Sequence, residues 1–325
     1  METQGFRKML QSLDLNEEQI EASIAIAERF EGYANETNRI PSAATVWAFS
    51  RLLIVEGNNT EDNYISLIHY CRFIKNNEMS IALLELVEGG EVGDNLYHRV
   101  GKMFGTAIRD EIFNGIGVAK YGTPSPEKPS YMHPVIERLE ARAGNDACNE
   151  LLSACLHDLP DETYLSDREK FRQASDIDAY LLLRKEAFVA RLEECQLEGR
   201  LFFAQEITGE VLDYVRSDPE MGGGRREGNI IYVTKLPYMI KQYLAEIDPT
   251  MRRYYTCHCP WARDAIKNGN VKLAEIFCQC SGGFHKKPFE VIFEQPLKVD
   301  VLESVLKGDG RCRFAIHLPE EAFEG

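Results

Sequence analysis

Three consecutive glycines, Gly222-Gly223-Gly224, separate two regimes of hydrophobic spacing in this 325-residue chain. Before them, apolar residues recur at helical intervals, as in Ile20, Ile24, Ala27 and Phe30, or Ile177, Leu181, Phe188 and Leu192. After them comes Ile230-Ile231-Tyr232-Val233-Thr234, a run of β-branched and aromatic residues of the strand type. One switch of period predicts an α+β protein: a mostly helical N-terminal region, residues 1–216, then an α+β domain with a small antiparallel sheet, residues 229–325. The glycines themselves read as a loop or hinge, since no Gly-Lys-Ser/Thr follows to make a phosphate cradle.

The helical region has legible punctuation. Asn16 with Gln19 three residues on predicts a capping box opening a helix. Further helices are expected from Pro41 to Val55, Tyr64 to Ile74, Ser80 to Val87 and Leu96 to Ile116. Residues 121–130 hold Tyr121-Gly122-Thr123-Pro124-Ser125-Pro126-Glu127-Lys128-Pro129, which cannot continue a helix and reads as a connector. Helices resume at Pro134–Ala143, Asn145–His157 and Asp176–Gln196. In the last third, Pro237–Ile247 reads as helix and Arg253-Tyr254-Tyr255-Thr256-Cys257 as a strand. Pro260-Trp261 opens another helix, and Ser281 caps one starting at Gly282. Leu297–Leu306 and Cys312–Leu318 read as strands joined by a tight turn at Gly308-Asp309-Gly310.

Charge limits the partners. Asp and Glu number 52 against 37 Lys and Arg, a net charge of -15, which argues against nucleic acid and anionic membranes. No apolar run is long enough to span a bilayer, and Met-Glu-Thr-Gln-Gly does not open like a signal peptide, so a cytoplasmic location is expected. A small-molecule ligand is the expected partner, with a homo-oligomer a further expectation for the helical region.

Five of the nine cysteines fall between Cys257 and Cys312. In a reducing cytoplasm they read as free thiols, metal ligands or a catalytic thiol. Cys71, Cys148, Cys155 and Cys195 sit in helical patterns and read as small hydrophobes. Cys257, Cys259, Cys278 and Cys312, with His258 or His285, are the candidate set for zinc or another divalent transition metal, although a one-residue gap is a poor zinc spacing. Cys280, just before a helix start, is the candidate nucleophile, because the helix dipole lowers a thiol's pKa there. His285 and His258 are candidate bases. Ser281, Gly282 and Gly283 offer backbone N–H groups to an anion, Arg263 is a candidate partner for a substrate carboxylate, and Trp261 flanks the same motif.

These residues carry a resemblance over residues 250–318. Phe277-Cys278-Gln279-Cys280-Ser281-Gly282-Gly283-Phe284 followed by Gly308-Asp309-Gly310-Arg311-Cys312-Arg313-Phe314 resembles the end of the vinyl-reductase-type small-ligand-binding domain. It is also similar to the L-2-amino-thiazoline-4-carboxylic acid hydrolase-like family. The whole chain looks like an uncharacterised bacterial family with a Cys-His-Cys-Pro-Trp signature. The resemblance implies a ligand-binding α+β fold and hydrolysis of a small C–N-bonded substrate. The chain departs from the first pattern at Ser304, where a cysteine would stand, and lacks an obvious aspartate after the second family's middle cysteine. Two functions are therefore expected: an enzyme, a C–N hydrolase using a Cys thiolate or a Cys/His-bound metal, or a ligand-binding sensor without turnover.

Overall fold

The structure is a computed structural model that describes residues 2–203, 205–269 and 272–319. Residues 1 and 204 of the expected helical region, and 270, 271 and 320–325 of the expected C-terminal domain, lie outside the described residues. The fold is α+β, with many helices and one four-stranded antiparallel sheet. Packing divides the chain into two compact units, residues 1–90 with 119–128, and residues 91–118 with 129–325.

The first unit is helical. Its helices are α1 (Thr3–Gln11), α2 (Glu17–Glu36), α3 (Ala43–Glu56), α4 (Glu61–Phe73) and α5 (Asn77–Val87). The predicted capping box opens α2, with Asn16 and Gln19 exchanging side-chain and backbone hydrogen bonds. Ser42, Thr60 and Asn76 cap the next three helices. Phe6, Phe30, Phe49, Tyr64, Tyr70 and Met79 fill the core between them. The proline-rich segment closes onto this core through polar contacts. Ser50 Oγ donates to the Gly122 carbonyl at 2.6 Å. The single hydroxyl proton of Ser50 is thereby used, so Tyr64 Oη, 2.6 Å away, donates to Ser50.

The second unit begins with α6 (Val92–Phe104) and α7 (Thr106–Phe113), α8 (Lys128–Ala143) and α9 (Asn145–Ser153). The expected single run from Leu96 to Ile116 is thus broken, at Gly105 with φ 91°. Helix α8 starts earlier than expected and continues through Pro134. Then come α10 (Leu165–Gln173), α11 (Ile177–Glu198), capped by Asp176, and α12 (Gly209–Ser217). Beyond the glycines lie β1 (Arg225–Glu227), β2 (Ile230–Thr234), α13 (Ile240–Ala245), α14 (Pro249–Thr256), α15 (Arg263–Asn268), α16 (Gln279–Phe293), β3 (Val299–Glu303) and β4 (Arg313–His317).

The strand order is β1-β2-β4-β3. Ile231 pairs with Ile316 and Val299 with Ile316, so one face of the sheet is aliphatic. Phe314 shares that face, and α16 covers it. The strand expected at Arg253–Cys257 is instead the end of α14. Asp248 accepts from the Met251 N–H at 2.8 Å, and Pro249 occupies the first turn. This start signal outweighs the strand preference of two tyrosines and a threonine. The expected tight hairpin is a longer loop, residues 304–312, in which the Ser304 carbonyl accepts from the N–H groups of Lys307, Gly308 and Asp309. Among the described residues no helix is long and apolar enough to cross a membrane.

Candidate functional site

Helix α14 ends at Thr256, so Cys257, His258 and Cys259 lie on the loop that follows and not on a strand with one shared face. The Cys259 carbonyl accepts from the N–H groups of Ala262 and Arg263, at 3.1 and 2.9 Å. Pro260 suits the second position of that turn, where its fixed φ is already correct. The loop is held by the segment after β2. The Tyr238 N–H donates to the Thr256 carbonyl at 3.3 Å, and the Met239 N–H to the Tyr255 carbonyl at 2.9 Å. His258 Nε2 lies 2.6 Å from the Leu236 carbonyl. A carbonyl only accepts, so Nε2 carries the proton and Nδ1 keeps its lone pair.

The same segment reaches the start of β4, where the Lys235 N–H donates to the Cys312 carbonyl at 3.0 Å. Residues 235–239 thus tie Cys257, His258 and Cys312 into one neighbourhood. Lys235 Nζ donates to Ser281 Oγ at 3.0 Å, which brings in the first turn of α16. That helix begins at Gln279 after a 3-10 turn, Glu275–Cys278, so Cys280 sits inside the first turn and Ser281 is not its cap. Gly283 lets α16 approach the end of α9. A Cβ there would lie 2.5 Å from the Ser153 carbonyl oxygen and 2.8 Å from the Cys155 nitrogen.

The thiols feel one another. Burial pushes Cys257 up to about 12, and the neighbouring Cys259 and Cys312 add to the rise. Burial also pushes Cys278 well above the ordinary thiol range, with Cys312, Cys257 and Cys259 acting the same way. Cys280 is raised by burial and by Cys259, and Cys312 by burial. The expected lowering at Cys280 by the helix terminus does not prevail. A dipole contributes about 1 kcal/mol, less than one pKa unit, whereas full burial shifts a group by about 3–5 units. Cys278 Sγ lies 2.9 Å from Ser304 Oγ, so the serine at the departure from the resembled pattern is a direct partner of a cluster thiol.

Both imidazoles are neutral bases. Burial holds His258 and His285 well below their ordinary value, and the Lys235 charge pushes the same way. The His285 ring stacks on Phe314 with centroids 4.9 Å apart, and its sealed Nε2 has no hydrogen-bond partner among the described residues. Lys235 also acts on Cys257, Cys280 and Cys312. One ammonium therefore influences three of the five thiols and both histidines. Sequence reasoning missed it, because an isolated lysine after a strand has no motif; its only signal is position, two elements away in the chain.

The other expected residues take different places. Arg263 is fully buried, its guanidinium 4.6 Å from the Tyr238 ring centroid and 5.4 Å from that of Tyr254. Trp261 is 2% exposed and packs on Gly93, whose added Cβ would stand 3.1 Å from the ring. Gly282 backs onto Val299. Cys155 is buried as expected of a small hydrophobe, and it stands near Cys280 with φ 61°. Among the described residues no group of three or more His, Cys, Asp or Glu is placed to hold a metal ion.

Over residues 245–323 the chain is similar to a family of unknown function, DUF6144. That segment contains all five clustered cysteines and both histidines but not Lys235. The resemblance to the vinyl-reductase-type and thiazoline hydrolase-like families gains no support from it. No curated protein and no solved structure matches the chain.

Proposed function

We propose that the second unit is a small-molecule enzyme that opens a C–N bond by thiol chemistry, with Cys280 as nucleophile. The observation that carries it is Lys235 on Ser281 at 3.0 Å, with its charge reaching thiols and neutral imidazoles together. The resting thiol is protonated, because burial raises Cys280. Attack therefore needs a base, and a neutral His285 or His258 supplies one. The imidazole takes the thiol proton as the S–C bond forms. The C–N bond then breaks, and the departing nitrogen takes that proton. Water, deprotonated by the same imidazole, attacks the carbon, and the sulfur leaves with the proton restored. The Lys235 ammonium faces the negative charge that develops. Nine free thiols fit a reducing compartment such as the cytoplasm.

The resemblance over residues 250–318 supports a C–N substrate. The test is ammonia and amine release from a panel of small amides, lactams, ureas and thiazolines. Cys280→Ser is expected to abolish release with an unchanged melting temperature, and His285→Gln or His258→Gln to lower it by about a hundredfold or more. Turnover that survives Cys280→Ser at the original rate rejects the nucleophile. A second reading, ligand binding without turnover, is favoured by the raised thiols. Under it a compound from the panel binds without release, and Cys280→Ser leaves its affinity intact.

A further inference from the structure

We infer that His157, oriented by Glu91, is the base that activates the hydrolytic water at Cys280. This rests on Cys280 being the nucleophile, as proposed above, and refines the water step of that reaction. Helix α9, expected to run to His157, ends at Ser153, and the residues after it are built onto one stripe of α6. Glu91, the N-cap of α6, and Asn95 and Arg99 stand four apart along that stripe. The Arg99 guanidinium donates to the Ala154 and Cys155 carbonyls at 2.7 and 2.9 Å and pairs with Asp158. The Asn95 amide donates to the Leu156 carbonyl at 2.8 Å. Glu91 Oε1 lies 2.7 Å from His157 Nδ1. These side chains fix residues 154–158, among which Cys155 and Asp158 hold left-handed backbone at φ 61° and 45°. Non-glycine residues persist there where their surroundings over-determine them.

The imidazole so fixed stands beside the thiol. Its ring meets that of Phe284 edge-on, with centroids 5.6 Å apart. Phe284 follows Cys280 by one turn on the same face of α16. Gly283, the residue before it, packs on the Ser153–Cys155 backbone, and a backbone hydrogen bond from Leu156 reaches the Cys280 sulfur. A carboxylate only accepts, so His157 Nδ1 carries the proton and Nε2 keeps the lone pair. The other two imidazoles are committed differently: the Nε2 of His285 is sealed, and that of His258 is given to the Leu236 carbonyl. The His157 side chain is 29% exposed, so water reaches it from solvent. Nε2 takes a proton from that water as the water oxygen bonds to the substrate carbon held on sulfur. The C–S bond breaks, and the proton returns to the Cys280 sulfur.

The ester p-nitrophenyl acetate separates the two steps. Its acetyl group forms an S–C bond to Cys280 as p-nitrophenolate leaves and the thiol proton passes to a base; water then cleaves the thioester. Wild-type protein is expected to release p-nitrophenolate in a burst and then at a steady rate, with acetyl found on Cys280 by peptide mapping. His157→Gln, whose amide still pairs with Glu91, should keep the burst and the melting temperature while the steady rate falls about a hundredfold. Acetyl-Cys280 should accumulate in that variant. Glu91→Gln should also keep the burst and lower the steady rate by less, a split between steps that lost stability alone does not produce. A steady rate unchanged in His157→Gln overturns the inference and leaves the nucleophile standing. Loss of burst and steady rate together, in a variant that melts like the wild type, also overturns it, because His157 then serves the first step. If His157→Gln melts below the wild type, Glu91→Gln decides, and an unchanged steady rate there overturns the inference. Wild-type protein that gains no acetyl on Cys280 overturns nucleophile and inference alike.

Discussion

Ser304 is 2% exposed, and its hydroxyl touches Cys278 Sγ at 2.9 Å and accepts from the Leu306 N–H at 3.2 Å. Removing the oxygen strands a buried thiol and a backbone donor at once. Ser304→Ala is therefore expected to cost about 2 kcal/mol, read as a lower urea midpoint with an unchanged slope. A midpoint equal to the wild type would show that this contact contributes nothing. The same scale explains why the lowered pKa expected at Cys280 does not appear. The terminus of α16 was legible to within three residues, but burial dominates the thiol, and the other groups that act on it, Cys259 and Cys155 raising it and the Leu156 backbone lowering it, lie far away in the chain.

At the scale of elements, two glycines in helices make a matched pair. Gly283 stands where α16 meets the backbone at the end of α9, and an added methyl would collide with Ser153 and Cys155 backbone atoms. Gly283→Ala is expected to cost about 1–3 kcal/mol by urea unfolding. Gly32, inside α2, has nothing within 4 Å of its would-be Cβ. Gly32→Ala is expected to stabilise by about 0.5–1 kcal/mol through helix propensity alone. Destabilisation at Gly32, or neutrality at Gly283, would contradict the packing described. Among helix starts the most legible was α2, since Asn16 caps through a bond to the residue three positions on; the same device at Ser42 and Asp176 emerges from the structure. Helix α14 was lost because Arg-Tyr-Tyr-Thr reads as strand, although Asp248-Pro249 carried the start signal.

For the whole molecule, the buried imidazoles and thiols set opposite limits on stability. His258 and His285 have lowered values in the folded state, so below about 6.5 the unfolded chain binds more protons and stability falls with pH. With two groups the slope reaches about 2.7 kcal/mol per pH unit. His69 in the first unit, also lowered by burial, acts in the same direction. The thiols work at the other end. Cys257, Cys278, Cys280 and Cys312 are raised above 9.0, so the unfolded chain releases protons first and stability falls above that pH. Urea midpoints from pH 5 to 10 should trace a plateau with a loss on each side. The acid loss should shrink in His258→Gln with His285→Gln; an unchanged acid limb would mean these imidazoles are not buried neutral.

By itself the sequence determined the α+β class, the helix starts written in local caps, and the segment where thiols and imidazoles gather. Each of these depends on residues a few positions apart, where covalent spacing already fixes the geometry. Only the tertiary structure decided that Lys235 joins Ser281, that Ser304 holds Cys278, and that the cluster thiols rest protonated. Those outcomes depend on which distant groups share a water-poor space, because desolvation and charge act across contacts that chain order does not record.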